Sequence, residues 1–303
     1  MYRYKIYGVI LESEFKLNLL VPADESDDTR YIITVKESDI EEDVVRFLKD
    51  NNASKRRYEI GFEKSAFENQ GGYFLIQGGK EILVKLKEGF TYETVSAWIL
   101  GYSLSMALLQ KGIMTIHCSA LSTDHDAILI SGTPGAGKSS LAGKLLENGL
   151  NLMADDVAGI HFENDACMVY PAFPFQKLCS NEIEKRGIEK NNLIYINEDK
   201  DKYLVPVKEI FESKPQKLKF FFFIVKAQVD QLTINQITGF DCFLAIRENL
   251  FLHRLIGGTW ESQPQVINAC MKIAASSKIY LIFRPENKDT LDELRDEIVK
   301  IIR

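Results

Sequence analysis

The sequence predicts an α/β fold in which a smaller, β-rich α+β domain precedes a domain of alternating strands and helices. Up to about residue 90, short runs of β-branched and aromatic residues are separated by polar or glycine turns. From residue 91 onward, strand-like and helix-like segments alternate. The chain of 303 residues is long enough for two such domains. We therefore predict an N-terminal domain over residues 1–90 and a second domain over residues 91–303.

The N-terminal domain is predicted to contain six short strands and one helix. The helix is expected over residues 37–51, where acidic and apolar residues alternate at helical spacing. The predicted strands are YKIYGVI, KLNLLV, YIITVK, YEIGFE, GYFLIQ and EILVKL. No phosphate-binding motif or catalytic spacing occurs in this domain. Recognition of a leader peptide, binding of a partner and dimerisation all stay open as its role.

The second domain is predicted to begin with a helix that ends near Gln110. Strands are expected at MTIHCSALS, DAILISG, LNLMADD, LKFFFFIVKA and IYLIFRP, and LKFFFFIVKA is apolar enough to be a buried strand. Helices are expected at KSSLAGKLLENG, GFDCFLAIRENLFLHRLI, SQPQVINACMKIAASSK and NKDTLDELRDEIVKIIR. This alternation predicts a sheet that helices cover on both sides.

Composition excludes several classes of partner. Hydrophobic residues make up 46% of the chain and the net charge is −6, which is typical of a globular protein without a basic face for nucleic acid. The apolar segment 95–109 is shorter than the roughly 20 residues that a membrane span needs. The five cysteines form no CxxC pair, which favours a reducing compartment. We expect a cytoplasmic protein that binds neither nucleic acid nor membrane, and a homo-oligomer stays open.

The strongest motif is GTPGAGKS at residues 132–139, which matches the phosphate-binding loop G-x-x-x-x-G-K-[ST] between an apolar strand and a helix. Its glycines let successive backbone N–H groups face a phosphate, and the helix N-terminus attracts the same anion. Lys138 is expected to reach the β- and γ-phosphates, and Ser139 to bind Mg²⁺. The predicted nucleotide-binding residues are Gly132, Thr133, Pro134, Gly135, Ala136, Gly137, Lys138, Ser139 and Ser140.

Two adjacent carboxylates follow the phosphate loop. Asp155 and Asp156 end the strand LNLMA, which we expect to lie beside the phosphate-loop strand and to bring the acids near the terminal phosphate. One acid can hold the metal while the other accepts a proton from an attacking hydroxyl. His117 precedes the phosphate-loop strand by one hairpin and is a further candidate. A switch GTPase is excluded because the interval before Asp156 is short and the N-K-x-D pattern is missing.

These segments together resemble the catalytic domain of the HPr kinase/phosphorylase family. The similar residues are His117, the run LISGTPGAGKSSLAGKLLENGLNLMADDV and the stretch YPAFPFQKL, over roughly residues 112–180. The resemblance implies the kinase fold that this family shares with ATP-dependent phosphoenolpyruvate carboxykinase. It also implies transfer of phosphate from ATP, with Mg²⁺, to a protein serine. It implies that Asp155 is the base, that Asp156 lies nearer the metal, and that His117 and Lys138 lie at the reaction centre.

The order of a β-rich front domain, a long helix and the motif series is similar to that of HPr-kinase-like proteins encoded with peptide-modification genes, such as the lasso-peptide kinases. The resemblance therefore implies a serine of a peptide or protein as acceptor, with a ribosomally made precursor peptide as one form. Two alternatives stay open: a kinase that acts on a small-molecule hydroxyl, and a non-catalytic module that binds a nucleotide. Lys177 and Lys202 are additional candidates for gripping phosphate or substrate.

Overall fold

The computed structural model describes residues 1–24, 27, 31–164, 166–197, 201–254 and 260–303. Its contacts divide the chain into two compact units. Unit 1 consists of Met1–Thr115, Gly159–His161 and Leu250–Ala269; unit 2 consists of Ile116–Ala158, Phe162–Asn249 and Cys270–Arg303. Unit 1 includes the helical segment after residue 90, which the sequence analysis assigns to the second domain. The boundary at residue 90 stays a prediction.

Unit 1 contains a mixed sheet of eight strands in the order β3-β1-β2-β4-β8-β7-β6-β5. The strands are β1 (Tyr2–Ile6), β2 (Val9–Ser13), β3 (Val21–Pro22), β4 (Ile32–Glu37), β5 (Tyr58–Glu59), β6 (Lys64–Glu68), β7 (Gly72–Gln77) and β8 (Glu81–Leu86), and helix α1 spans Glu41–Asp50. The run YKIYGVI forms two strands because Tyr7 and Gly8 both have positive φ angles, which closes a two-residue hairpin turn. KLNLLV supplies only the short β3, and strand β6 was not predicted.

A single helical segment follows in unit 1, as the sequence predicts. It comprises α2 (Tyr92–Trp98), a π-helical turn (Ile99–Ser103) and α3 (Leu104–Gln110). The Thr91 side chain accepts a hydrogen bond from the Thr94 backbone N–H at 3.3 Å, which caps the first turn. Val95, Leu104 and Leu108 are buried in the segment's apolar stripe. Among the described residues, no helix is long and apolar enough to cross a membrane.

The remaining elements follow in chain order. The strands are β9 (Met114–Ile116), β10 (Ser119–Ser122), β11 (Asp126–Gly132), β12 (Asn151–Ala154), β13 (Ala158–Glu163), β14 (Ala166–Tyr170), β15 (Phe175–Cys179), β16 (Ile194–Asn197), β17 (Asp201–Pro206), β18 (Gln216–Ala227), β19 (Thr233–Ile237) and β20 (Lys278–Pro285). The α-helices are α4 (Lys138–Glu147), α5 (Ser180–Lys185), α6 (Phe240–Glu248), α7 (Pro264–Ser276) and α8 (Leu291–Ile302). Short 3-10 turns lie at Lys190–Asn192, Lys208–Ile210, Phe251–Arg254 and Trp260–Ser262.

The central strand of unit 2 is β18, which pairs in parallel with β11 on one side and with β20 on the other. Phe220, Phe221 and Phe222 of this strand are buried, so the prediction of a buried strand is confirmed. Strand β10 pairs antiparallel with β11, and β12 pairs antiparallel with β10. The prediction that β12 lies beside the phosphate-loop strand β11 is therefore wrong, because β10 folds back as a hairpin and occupies that edge.

Helices α4 and α8 share one core with the sheet of unit 2. Leu141 and Leu145 of α4 pack in the same buried cluster as Ile298 of α8 and Phe222 of β18. A separate three-stranded sheet has the order β15-β17-β16. No strand was predicted at β13–β17 or at β19. Of these strands, β15 supplies Lys177 to the site below.

Candidate active site

The phosphate loop joins the end of β11 to the start of α4. Gly132 has φ = 153°, and a Cβ atom there would lie 2.2 Å from the carbonyl oxygen of Ile224 on β18. Thr133 N–H donates to that same oxygen at 3.0 Å. Only glycine can therefore let the chain leave β11 while it stays hydrogen-bonded to β18. The loop begins at the carboxyl end of parallel strands, where α/β sheets bind ligands.

Lys138 lies across the loop that precedes it. Its Nζ donates to the carbonyl oxygens of Gly132 at 2.8 Å and Thr133 at 3.3 Å. The ammonium group is thus held over the curled backbone, where a phosphate-binding loop needs its positive charge. The predicted residues Thr133, Pro134, Gly135, Ala136 and Gly137 form the loop, and Ser139 and Ser140 lie in the first turn of α4.

Two arginines that the sequence analysis did not assign to the site support the loop from outside. Arg284 at the end of β20 is buried, and its guanidinium donates to the carbonyl oxygen of Ala136 at 2.6 Å and to Thr290 Oγ1 at 3.1 Å. Burial lowers the pKa of this guanidinium. Arg186 after α5 donates to the carbonyl oxygen of Ser139 at 3.1 Å. The sequence signal that could have identified Arg284 is its position as the only cation at the end of the apolar run IYLIFRP.

Asp155 is the buried member of the acidic pair, with 8% of its surface exposed. Its Oδ1 accepts a hydrogen bond from Ser119 Oγ at 2.6 Å, and its Oδ2 accepts one from the backbone N–H of Lys177 at 2.7 Å. Burial raises the pKa of this carboxyl, whereas the hydrogen bonds from Ser119 and Lys177 lower it, and the net shift is upward. The side chain is therefore fixed in position and is a better proton acceptor than an exposed aspartate.

Asp156 is more exposed, with 27% of its side chain accessible, and lies between two cationic or titratable groups. Its Oδ2 is 3.3 Å from Lys177 Nζ, and its Oδ1 is 3.6 Å from His117 Nδ1. The same His117 nitrogen lies 2.9 Å from the backbone carbonyl oxygen of Asp156. The chain turns sharply here, since Asp156 has φ = 73°. One histidine and one lysine thus hold the turn that presents both acids.

A buried network holds the backbone on which His117 lies. Its N–H donates to the carbonyl oxygen of Asn249 at 2.8 Å, and its carbonyl oxygen is 2.5 Å from Ser131 Oγ. Ser131 Oγ also contacts Asn249 Oδ1, and Asn249 Nδ2 donates to the carbonyl oxygen of Ala245 at 2.7 Å. This network explains why the predicted strand MTIHCSALS is interrupted at His117 and Cys118. No pattern in the sequence pointed to Asn249.

Cys118 connects the phosphate loop with the acidic pair. Its thiol is buried, and burial raises its pKa well above the usual value, as do the charges of Asp155 and Asp156. The charge of Lys138 acts on the same thiol in the opposite direction. Of the predicted site residues, the structure brings His117 into contact with Asp156. Lys138 lies over the loop that begins directly after Ser131, whose hydroxyl is 2.5 Å from the carbonyl oxygen of His117.

Lys177 and Lys202 have different places in unit 2. Lys177 on β15 contacts both aspartates, one through its backbone and one through its side chain. Lys202 lies on β17, paired with Cys179 of β15. The sequence indicated Lys177 only as a lysine that follows a loop signal. Its contacts with the two aspartates could not be predicted, because β15 and β12 belong to different sheets.

The residues present suit a metal ion that arrives with a nucleotide. Among the described residues, no group of three or more His, Cys, Asp or Glu side chains is arranged to hold a metal ion. Mg²⁺ beside a nucleotide requires only one or two protein oxygens, because phosphates and water complete its shell. The hydroxyl of Ser139 and the accessible carboxylate of Asp156 are donors of the right chemistry. They fit this limited requirement.

Comparison with known proteins finds similar chains among the solved structures. No family model and no curated protein matches the chain. Among solved structures, the chain is similar to the Hpr(Ser) kinase/phosphatase from Coxiella burnetii, with 17% sequence identity and a TM-score of 0.31. The match covers 62% of this chain and 99% of that chain. At this level of similarity, any function has to be argued from the residues of the site themselves.

Proposed function

We propose that the protein is an ATP- and Mg²⁺-dependent kinase that transfers the γ-phosphoryl group to a hydroxyl, namely a serine of a peptide or protein. We also propose that unit 2 is a P-loop kinase core of the HPr kinase/phosphoenolpyruvate carboxykinase type. The observation that carries the proposal is that His117 links the strand before the loop to the acids: its carbonyl oxygen is 2.5 Å from Ser131 Oγ, and its Nδ1 is 3.6 Å from Asp156 Oδ1. A loop that only stored a nucleotide would not need a pair of carboxylates connected to the strand that precedes it.

The phosphate loop supplies the groups that hold the nucleotide. The backbone N–H groups of Gly135 and Gly137 and the N-terminus of α4 would bind phosphate oxygens, and Lys138 would neutralise their charge. Pro134 has no N–H, and the N–H groups of Thr133 and Ala136 donate within the protein. Ser139 and Asp156 hold the metal. When bound, ATP and its Mg²⁺ supply the electrophilic phosphorus. Arg284 and Arg186 fix the loop and the first turn of α4 through carbonyl oxygens, so the binding geometry exists before the nucleotide arrives.

Asp155 accepts the proton of the attacking hydroxyl. The bonds from Ser119 and Lys177 orient its carboxylate, and burial raises its pKa, which strengthens it as a base. His117 positions the acids: a backbone carbonyl can only accept, so Nδ1 must carry the hydrogen that it donates to Asp156. Ser119 and the Lys177 backbone thus hold the carboxylate of Asp155. His117 holds the backbone carbonyl of Asp156, and the Lys177 ammonium group holds its carboxylate. Preorganisation of this kind lowers the barrier for in-line transfer.

The nature of the acceptor rests on the resemblance of the motif series to peptide-modifying HPr-kinase-like proteins. A peptide serine needs an open approach to the acidic pair, and Asp156, which follows the base in the chain, has 27% of its side chain accessible. The proposal therefore specifies an exposed hydroxyl on a flexible chain. A ribosomally made precursor peptide is one substrate of this description.

The test is phosphate transfer from ATP labelled in its γ-phosphate. The full chain is incubated with Mg²⁺ and a serine-containing peptide array, and in parallel with a panel of small hydroxyl metabolites. Labelled phosphoserine in peptides, lost when Mg²⁺ is chelated, is the expected result. Transfer only to metabolites would show that the acceptor is a small molecule rather than a peptide. Tight ATP binding without any transfer would show that the protein is a nucleotide-binding module and not a kinase.

Lys138→Ala is expected to abolish this transfer, since the loop then lacks the charge that stabilises the departing phosphates. Lys144→Ala is the matched control. Lys144 lies on the same helix, and its side chain pairs with Asp292 at 2.7 Å. Full activity in the Lys138 variant would remove the phosphate loop from the mechanism.

A further inference from the structure

Unit 1 carries a groove with a volume of about 680 Å³ on the outer face of its sheet. Strand β4 contributes Ile32, Thr34 and Lys36, the turn from β7 to β8 contributes Lys80 and Glu81, and the residue after α3 contributes Lys111. This volume is within the range of roughly 300–1,000 Å³ that is common for ligand sites. The groove belongs entirely to unit 1 and shares no residue with the phosphate loop.

The charges of the groove do not cancel. Lys36 pairs with Glu81 at 3.3 Å, and the same carboxylate accepts a hydrogen bond from Gln77 at 3.0 Å. The single acid of the groove is thus already neutralised within it. Lys80 and Lys111 have no carboxylate within salt-bridge distance among the described residues. They form a local positive patch on a chain whose net charge is −6.

Lys80 and Lys111 are close enough to affect each other. The pKa of Lys111 is lowered, first by burial and second by the charge of Lys80. Lys111 Nζ also lies 4.9 Å from the centre of the Tyr31 ring, which holds the ammonium group beside the groove. Two adjacent like charges repel each other, and a bound anion relieves that repulsion.

The floor of the groove matches an extended peptide. Ile32, Thr34 and Lys36 alternate along β4 and face the same side, so they repeat every two residues at about 6.6 Å. Ile32 is an exposed apolar side chain at one end of this row, with 46% of its surface accessible. An extended peptide has the same two-residue repeat. Because β4 is hydrogen-bonded on both sides, to β2 and to β8, the peptide contacts this row through side chains, which can place a carboxylate at the lysines and an apolar group on Ile32.

We propose that this groove binds an acidic segment of a peptide or protein in extended conformation. The carboxylates of the segment pair with Lys80 and Lys111, and an apolar side chain of the segment covers Ile32. Charge complementarity selects the occupant, because a neutral segment would leave the repulsion between Lys80 and Lys111 uncompensated. The inference goes beyond phosphate transfer and does not depend on it, because binding can be measured without ATP.

The test is fluorescence anisotropy of a labelled peptide that carries Leu and Glu two residues apart, on one face of an extended chain, with Thr at the positions between them. It is titrated with the full chain in the absence of nucleotide. We expect saturable binding that weakens with salt and that an Asn/Gln analogue of the peptide lacks. The double variant Lys80→Glu/Lys111→Glu is expected to lose about tenfold or more in affinity. The neutral variant Lys80→Gln/Lys111→Gln should give an intermediate loss and guards against a folding defect.

The matched control is Lys49→Glu/Lys55→Glu, which changes the net charge equally at exposed lysines of unit 1 outside the groove. Its affinity should stay close to that of the unchanged chain. An equal loss in control and groove variants would overturn the proposal, because the attraction would then be nonspecific. Displacement of the peptide by inorganic phosphate at equal concentration would also overturn it, in favour of a small anion.

Discussion

At the scale of single residues, the two adjacent acids have different surroundings although the sequence presents them as a pair. Asp155 is buried and bonded through both oxygens, whereas Asp156 is accessible and lies between His117 and Lys177. The sequence could predict the pair because both acids follow an apolar strand behind a phosphate loop. It could not predict that Ser119 bonds to Asp155, that Asn249 holds the backbone of His117, or that Arg284 holds the loop at residue 136. These contacts join residues that are far apart in the chain.

Asp155→Asn is expected to lower kcat by about 10²–10⁴-fold, the usual contribution of a general base. Asparagine keeps the shape of the side chain and can still accept from Lys177, so nucleotide affinity should change little. Kinetics and ATP titration on the same preparation measure both effects. Asp241→Asn, an exposed change on α6, is the control. Turnover near that of the unchanged chain would remove Asp155 as the base.

Lys177→Met isolates the side chain of Lys177 from its backbone. The backbone N–H to Asp155 remains, but Asp156 loses the ammonium group at 3.3 Å. We expect kcat to fall by about tenfold, in line with the roughly 1.5–3 kcal/mol of a charged hydrogen bond. Lys177→Arg should recover part of the loss by restoring the charge. Equal loss in both variants would show that the shape of the lysine, rather than its charge, is what matters.

At the scale of elements, the strand–loop–helix unit of β11 and α4 was predictable because its signals are local: an apolar run, three glycines and a helix start. The strand that pairs with β12 was not predictable, because strand order depends on pairing between segments that are distant in the chain. The hairpin between β10 and β11 fills the edge where β12 was expected. Strands β13–β16 are four to six residues long. Apolar runs this short do not identify a strand by periodicity alone, so these strands escaped prediction.

Gly132→Ala and Gly135→Ala form a matched pair within the phosphate loop. At Gly132 the new methyl group would meet the Ile224 carbonyl oxygen, so β11 and β18 must separate; at Gly135 it would meet nothing within 4 Å. We expect Gly132→Ala to lose more than about 3 kcal/mol of unfolding free energy. Gly135→Ala should lose about 1–2 kcal/mol, from its positive φ alone. Chemical denaturation measures both, and equal losses would contradict the close approach.

At the scale of the whole molecule, the chain returns to unit 1 twice after leaving it. Phe251, from the second return, packs its ring on Tyr102 with the centres 5.2 Å apart, and His161, from the first return, lies 2.7 Å from the carbonyl oxygen of Tyr7. Sequence patterns gave two domains in succession because composition changes only once along the chain. They contain no signal for short segments that rejoin an earlier unit.

A fragment of residues 1–90 is expected to lack cooperative unfolding. It omits the helical segment 92–110, whose buried side chains Val95, Leu104 and Leu108 belong to the core of unit 1. A fragment of residues 1–115 retains that segment and should be more ordered. Amide dispersion in two-dimensional NMR and thermal unfolding compare the two. A well-dispersed spectrum for residues 1–90 would restore the predicted boundary.

Lys177 also makes the two acids mechanically dependent on a neighbour. It grips both of them from β15, a strand of the small sheet β15-β17-β16, although β12 delivers them. A shift of that small sheet would therefore change the contacts of both carboxylates with Lys177 at once. A molecule that binds to β16 or β17 could therefore alter the positions of Asp155 and Asp156 together.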